Sequence, residues 1–317
     1  MWNLCNSSSR RILILANSAE GIARFRKELL FELKAQGFTV LLSLPSDQNK
    51  QMYCGNWYQV LPVEMSRRGT NPFVDLKLLH SYKQLIKEKR PDIVLTYTIK
   101  PNVYGGIACQ QLHIPYIANV TGIGTSIEDG GILQVISLSL YKLGLRKADK
   151  VFFQNPRNLD FFQRKGIVKN QNVEVLPGSG VNLIENCYET YPESDSPVIF
   201  NTIGRIMKDK GIFELLSAVK TIKKERPQVV FRLVGGFDGN CQEIIEQAQK
   251  DGFVKYLGHR DDVHMLIKES HATIHPSYHE GMSNVLLETA ACGRPVIASN
   301  IPGCKDTFDS GVSGIAF

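Results

Sequence analysis

Short apolar, β-branched runs alternate with amphipathic stretches along nearly the whole chain, and few folds satisfy that alternation. RILILAN is followed by Ile22, Phe25, Leu29, Leu30 and Leu33 at helical spacing, then by Gly37 and FTVLLSLP. This spells strand, helix, strand. The pattern continues through WYQVLPV, a predicted helix around 73–89 stopped by Arg90-Pro91, then DIVLTYT, IPYIANV and KVFFQN. Strands that are apolar throughout must be covered on both faces, which predicts a parallel sheet flanked by helices.

The alternation breaks after VEVLP. GSGVNLIENCYETYPESDSP (178–197) has no period and many turn residues, the pattern of a connecting segment. A second series then begins: VIFNTIG, a helix near 210–225, VVFRLVG, a helix near 240–250, VKYLG, ATIHPS, a helix from about Ser283, and PVIAS. The predicted organisation is a Rossmann-like domain over 1–177, a linker over 178–197 and a second Rossmann-like domain over 198–317. A chain of 317 residues, 43% of them hydrophobic, can fill two such cores. Ligands of doubly wound sheets bind outside the carboxyl ends of the strands, so a site in the cleft between the domains is expected.

Several classes are excluded. The seven cysteines form no CxxC pair, which argues against a zinc ribbon, a dithiol or a secreted disulfide framework. The residues ahead of RILILAN show no apolar segment of the secretory kind, so no leader is expected, and ILQVISLSLY, ahead of Lys142, is roughly half the length of a bilayer crossing. A cytoplasmic protein is expected. No strand is followed by G-x-G-x-x-G, GIGTSI lacks the third glycine, and there is no P-loop. His271, His275 and His279 are spaced by four, but the alternation in ATIHPS makes the first part strand. They share no helical face and predict no metal site, with His279 notable only as the neighbour of Glu280.

Two segments point to chemistry. In GRIMKDKG, Arg205 and Lys210 are five residues apart across a strand-to-helix loop, which suits a diphosphate; Lys208 is expected to face solvent. In HPSYHEGMSNVLLETAACGRPVIAS, Ser283 or Asn284 can cap a helix whose Val285, Leu286 and Ala290 face inward, and Gly293-x-Pro295 ends it. Glu280 then precedes the helix and Glu288 lies in its second turn. Free amides from Gly281 through Met282 and Ser283 to Asn284 could hold a phosphate, and Glu288 could accept from two ribose hydroxyls. From the residues alone, this is an anion and hydroxyl site.

The order GRIMKDKG, FRLVGG, VKYLGHRDDV, then HPSYHEGMSNVLLETAACGRPVIASNIPGC resembles the carboxyl domain of retaining glycosyltransferase family 4, which has the GT-B fold. In the first half, ILILANSAEGIARFRKELLFELKAQGFTVLLSLP, TYTIKPNVYGGIA, NVTGIGTS and VFFQNPRNLDFF resemble the bacterial subgroup that builds capsule, O-antigen and related lipid-linked glycans. The resemblance implies a metal-independent hexosyltransferase without a cofactor. It would move a hexose or N-acetylhexosamine with retention from a nucleotide-sugar, expected to be a UDP-sugar, to a lipid-linked saccharide.

By the same resemblance Arg205 and Lys210 hold the donor diphosphate, Glu288 the ribose and Glu280 the donor sugar. Gly258, His259 and Arg260 fall where the family grips the base. Ser18 and Gly21 sit in the loop approaching the phosphates, and Lys100, Asn102 and Thr121 fall on acceptor-side loops. Where many relatives have a histidine after the strand IPYIANV, this chain has Asn119-Val120-Thr121-Gly122, so the acceptor-side chemistry stays open. Relatives continue beyond GVSGIAF through further helices, the last crossing back to the first domain; that crossing helix is expected to be missing here, as in a truncated product.

Charge is uneven: residues 1–186 carry 23 Lys+Arg against 14 Asp+Glu, and 187–317 carry 14 against 17. The basic half suits a peripheral enzyme at the inner face of the cell membrane acting on a polyprenyl-diphosphate-linked saccharide. Arg24, Arg26, Lys27, Lys83, Lys87, Lys89 and Arg90 would meet anionic headgroups, and no nucleic-acid partner is expected. A UDP-sugar epimerase of the same architecture, or an inactive nucleotide-binding protein, are the alternatives.

Overall fold

The computed structural model describes residues 10–46, 57–66, 69, 71–123, 127, 130–169, 172–193 and 197–317; the rest of the NVTGIGTS motif lies outside them. The chain divides between Leu176 and Pro177 into two compact units, each built on one sheet.

The first sheet contains β1 (Arg11–Leu15), β2 (Thr39–Pro45), β3 (Tyr58–Val63), β4 (Ile93–Tyr97), β5 (Tyr116–Val120), β6 (Lys150–Phe153) and β7 (Val173–Val175). Their order is β3-β2-β1-β4-β5-β6-β7 and every pairing is parallel. Both faces of β1 are buried, which is why RILIL reads as an unbroken apolar run. Ile12 and Ile14 join α1 (Ala19–Phe25) and α2 (Lys27–Ala35) in one core layer. Leu13 and Leu15 join α3 (Pro72–Lys89), α4 (Gly106–Leu112), α5 (Gly131–Leu145) and α6 (Pro156–Arg164) in the other.

Local chemistry sets the helix ends. Asn71 caps α3 by accepting from the Phe73 amide at 3.0 Å, Pro72 starts it, and Arg90 ends it in the left-handed region before Pro91. Asn155 and Pro156 start α6 in the same way.

The second sheet contains β8 (Ile199–Ile203), β9 (Val230–Val234), β10 (Lys255–Tyr256), β11 (Ala272–His275), β12 (Val296–Ala298) and β13 (Gly314–Ala316), again all parallel, in the order β10-β9-β8-β11-β12-β13. Its helices are α7 (Ile212–Glu225), α8 (Gln242–Lys250), α9 (Val263–Lys268) and α10 (Asn284–Ala291). In α10 the inward positions differ from expectation: Ala290 is exposed, and Thr289 is wholly buried, its hydroxyl 3.0 Å from that of Thr273. Ala290 lies a quarter turn away from the inward stripe, so its small apolar side chain carries no burial information.

The segment after Leu176 is irregular but docked. Tyr191 donates to the His271 carbonyl at 2.9 Å, and Glu189 accepts from Lys268 at 2.8 Å and contacts His264 at 3.1 Å. The side chain of Arg294, 2% exposed, donates to the carbonyls of Glu189, Thr190, Lys268, Ser270 and Cys292.

Candidate active site

In each sheet the connections reverse direction once, between β1 and β4 and between β8 and β11. Loops leaving a reversing pair of strands diverge and open a crevice at the carboxyl edge. In the second unit the two segments singled out from sequence leave this very pair: Arg205 to Lys210 follow β8, and Pro276 to Asn284 follow β11.

The two loops are stitched together. The Tyr278 amide donates to the Asp209 carbonyl at 3.0 Å. Gly211 takes φ +69°, and a Cβ there would lie 2.0 Å from the Pro276 carbonyl oxygen, so no larger residue permits this approach. The approach brings the Lys210 ammonium onto Glu280 Oε1. His275, the last residue of β11 and 5% exposed, places Nε2 2.6 Å from the same oxygen, and Ser283 Oγ lies 3.4 Å from that nitrogen. Glu280 is thus held between a lysine and a histidine.

Burial pushes the Glu280 carboxyl up, but the Lys210 charge and the His275 ring overcome it and hold the group well below the ordinary carboxylate range. A depressed carboxylate favours the folded state above its unfolded value of 4.5, and that contribution is lost as pH falls. Wild type should therefore lose melting temperature steeply below about pH 4.5, and Glu280→Gln should flatten that limb. Parallel thermal melts across acid pH would refute the carboxylate's role if the two proteins traced the same slope.

Arg205 is more open. Its guanidinium lies 2.6 Å from Asp238 Oδ2, with side-chain exposures of 55% and 21%. Asp238 is delivered by the loop after β9, whose backbone pairs with Ile206. Lys208 faces solvent.

Around the start of α10 the structure modifies the expected phosphate cradle. Ser283 is the cap residue, but its side chain makes no cap hydrogen bond and its amide already donates to the Gly303 carbonyl at 2.8 Å. Gly303 takes φ +80°, and a Cβ there would meet the Gly281 carbonyl at 2.4 Å. The first bond of the helix runs from the Leu286 amide to the Ser283 carbonyl at 3.2 Å, so the Asn284 and Val285 amides ahead of it are the first-turn donors. The Asn284 side chain donates to Ser179 Oγ and to the Gly180 carbonyl. Met282 packs on Gly178, where a Cβ would come within 2.6 Å of its Cγ. Glu288 is half-buried in the second turn.

Gly258, His259 and Arg260 follow β10 at the sheet's outer edge. The Gly258 carbonyl accepts from Gly235 at 2.8 Å, His259 sits 3.6 Å from Asp261, and the Arg260 fork grips Asp262 at 2.8 and 2.6 Å.

In the first unit Ser18 caps α1 and accepts from the Gly21 amide at 3.0 Å. Gly21 is therefore inside a helix, not in a loop, with its donor in use. Lys100 pairs with Asp75 at 2.6 Å, both side chains largely buried. Asn102 is wholly buried, accepting from Thr96 and donating to the Asn119 carbonyl, so it ties β4 to β5 and offers no exposed group. Thr121 lies just past β5, half-buried.

His275 was missed in the sequence. The alternation that separated it from His271 and His279 also turned it inward beside Thr273, and a histidine at an inward position at the end of a strand was the available signal. His279 is exposed.

Comparison with known proteins gives a consistent result. Residues 11–155 match the family described as glycosyl transferase 4-like, and residues 188–317 match glycosyl transferases group 1. The chain is 29% identical over 322 residues to the N,N'-diacetylbacillosaminyl-diphospho-undecaprenol α-1,3-N-acetylgalactosaminyltransferase of Campylobacter jejuni, covering 96% of this chain and 84% of that protein. It is 26% identical to the UDP-Gal:α-D-GlcNAc-diphosphoundecaprenol α-1,3-galactosyltransferase of Escherichia coli, over 76% of this chain and 67% of that one. Its fold matches sucrose-phosphate synthase from Thermosynechococcus elongatus with a TM-score of 0.80 at 21% identity, over 97% of this chain and 85% of that one. Two parallel-sheet units, motifs in order on both, and these relatives lead to one conclusion: the chain belongs to glycosyltransferase family 4 of the GT-B fold and is a hexosyltransferase.

Proposed function

We propose that the enzyme moves a hexose or N-acetylhexosamine from a UDP-sugar to a hydroxyl of a saccharide carried on a polyprenyl diphosphate, with retention and without a metal ion. The carrying observation is the cluster at the reversal of the second sheet, where Lys210, Glu280 and His275 converge at one oxygen with Arg205 in the same loop as Lys210. Departure of the nucleoside diphosphate develops negative charge, which the two cations with the Asn284 and Val285 amides would stabilise. Glu280, engaged by a lysine and a histidine, suits positioning of the donor sugar better than attack on its anomeric carbon. The acceptor hydroxyl then enters on the leaving-group face. The activities of the two bacterial relatives, both on undecaprenyl-diphosphate saccharides, support the acceptor class.

The test is a UDP-sugar screen with a polyprenyl-diphosphate saccharide, run with and without a chelator, on wild type, Glu280→Ala and Arg205→Ala. Transfer that survives in both variants at the wild-type rate removes the site assignment, and a rate that collapses with chelator removes metal independence. In the same assay Glu288→Ala should raise donor KM about tenfold with kcat nearly unchanged, because ribose hydrogen bonds are made equally in ground and transition states. A fall in kcat at constant KM would contradict the ribose role.

A further inference from the structure

The irregular segment after Leu176 meets α9 through a second set of groups besides Arg294. Glu189 on the segment faces His264 in the first turn of α9, Oε1 to Nε2 at 3.1 Å, while the Lys268 ammonium takes the other oxygen, Oε2, at 2.8 Å. Two residues before Glu189 stands Cys187, an exposed free thiol. One ligand atom from each of Cys187, Glu189 and His264 lies within 4.8 Å of the other two, and among the described residues no other three histidines, cysteines or carboxylates come together in this way.

Thiolate, imidazole and carboxylate are the ligand types of zinc, whose bonds to them are about 2.0–2.3 Å long. Ligands on one tetrahedral ion then stand about 3.3–3.7 Å apart. The 3.1 Å between Nε2 and Oε1 is close to that edge, and the widest separation closes by turning the exposed Cys187 side chain. Lys268 supports the set, because by engaging Oε2 it fixes the carboxylate with Oε1 toward the ring. One feature opposes it: Nδ1 of His264, which carries the ring proton when Nε2 holds an ion, is buried without a hydrogen-bond partner. A ligand histidine lacking that outer partner binds about 10–100-fold more weakly. Three protein ligands and one such gap set the affinity at about micromolar, well short of a zinc finger.

We infer that Cys187, Glu189 and His264 form a site for a zinc-class divalent cation, with water in the fourth position, and that the ion clips the irregular segment to α9. Magnesium and calcium take oxygen ligands and do not suit a thiolate. The consequence is mechanical. The clip joins positions 75 apart in the chain, and the segment it fixes places Ser179 on Asn284 and Gly178 on Met282 at the start of α10. None of its ligands is Arg205, Lys210, His275 or Glu280, so the ion stands outside the transfer chemistry.

The test uses the full chain, stripped with a chelator and kept reduced with a phosphine. Zinc at about a hundredfold over Kd should raise the melting temperature by about 5 °C. Magnesium should not, and cobalt(II) should give a near-ultraviolet thiolate-to-metal charge-transfer band. Cys187→Ser should melt with metal-free wild type, because the thiol is exposed, and should lose both the zinc shift and the cobalt band. His264→Gln, which can still hydrogen-bond to Glu189, should lose them as well. A glutamate-specific protease should cut wild type at Glu185 about tenfold more slowly with zinc, and Cys187→Ser at one rate with or without it. A cobalt spectrum without the band, an equal zinc shift in either variant, or an equal shift with magnesium would each overturn the site. A band with no slowing of cleavage would overturn the clip.

Discussion

Lys210→Ala is expected to lower transfer by about 10²–10³-fold, the scale set by removing one preorganised charge stabiliser. Two effects combine. The leaving diphosphate loses a cation, and Glu280, whose side chain is 14% exposed, loses the ammonium that offsets its burial. Taking the cation from a mostly buried carboxylate is costly; with both partners in partial contact with water, about 1–3 kcal/mol of stability is expected to go as well. A double-mutant cycle separates the two. If repulsion by the stranded carboxylate contributes, Lys210→Ala/Glu280→Gln will be more stable than Lys210→Ala alone while remaining inactive. Transfer by Lys210→Ala within about threefold of wild type would rule out the lysine as a stabiliser of the leaving group.

Arg294→Ala carries the largest expected loss of stability, about 3–5 kcal/mol. The guanidinium satisfies five backbone carbonyls, two of them on the irregular segment at Glu189 and Thr190, and lies over the Tyr191 ring at 5.4 Å. Removing it takes a donor from each of those carbonyls and releases the segment. Arg294→Lys keeps the charge but not the planar fork, so it should recover only part of the loss. Denaturant unfolding measures both, and a loss below about 1 kcal/mol for the alanine variant would show that water replaces the guanidinium. The segment also brings Ser179 to Asn284 and Gly178 to Met282, so its release should weaken donor binding before the unit unfolds.

The sequence made the elements legible because their signals are local. Unbroken apolar runs such as RILIL and TVLLSLP specify strands buried on both faces, and Asn71-Pro72 or Gly293 specify a helix end from the residues that adopt it. The ordered motifs likewise identified the family. Less visible were the short elements, α9 and β13, whose six and three residues are too few for a period to declare itself. The amides around Ser283 were read as free because nothing in EGMSN announces that Gly303, twenty residues on, will occupy one of them.

What the sequence by itself determined is therefore the alternation, the parallel class of sheet, the order of motifs and the positions of loops after strands. Only the tertiary structure decided that the strand order reverses between β8 and β11, which sets the loops of Lys210 and Glu280 side by side and turns His275 onto the same carboxylate. The physical reason is one of range. Period, capping and turn preference act over a few residues, whereas a meeting of residues 65 or 70 positions apart follows from crossover direction and strand register, which the whole core chooses together.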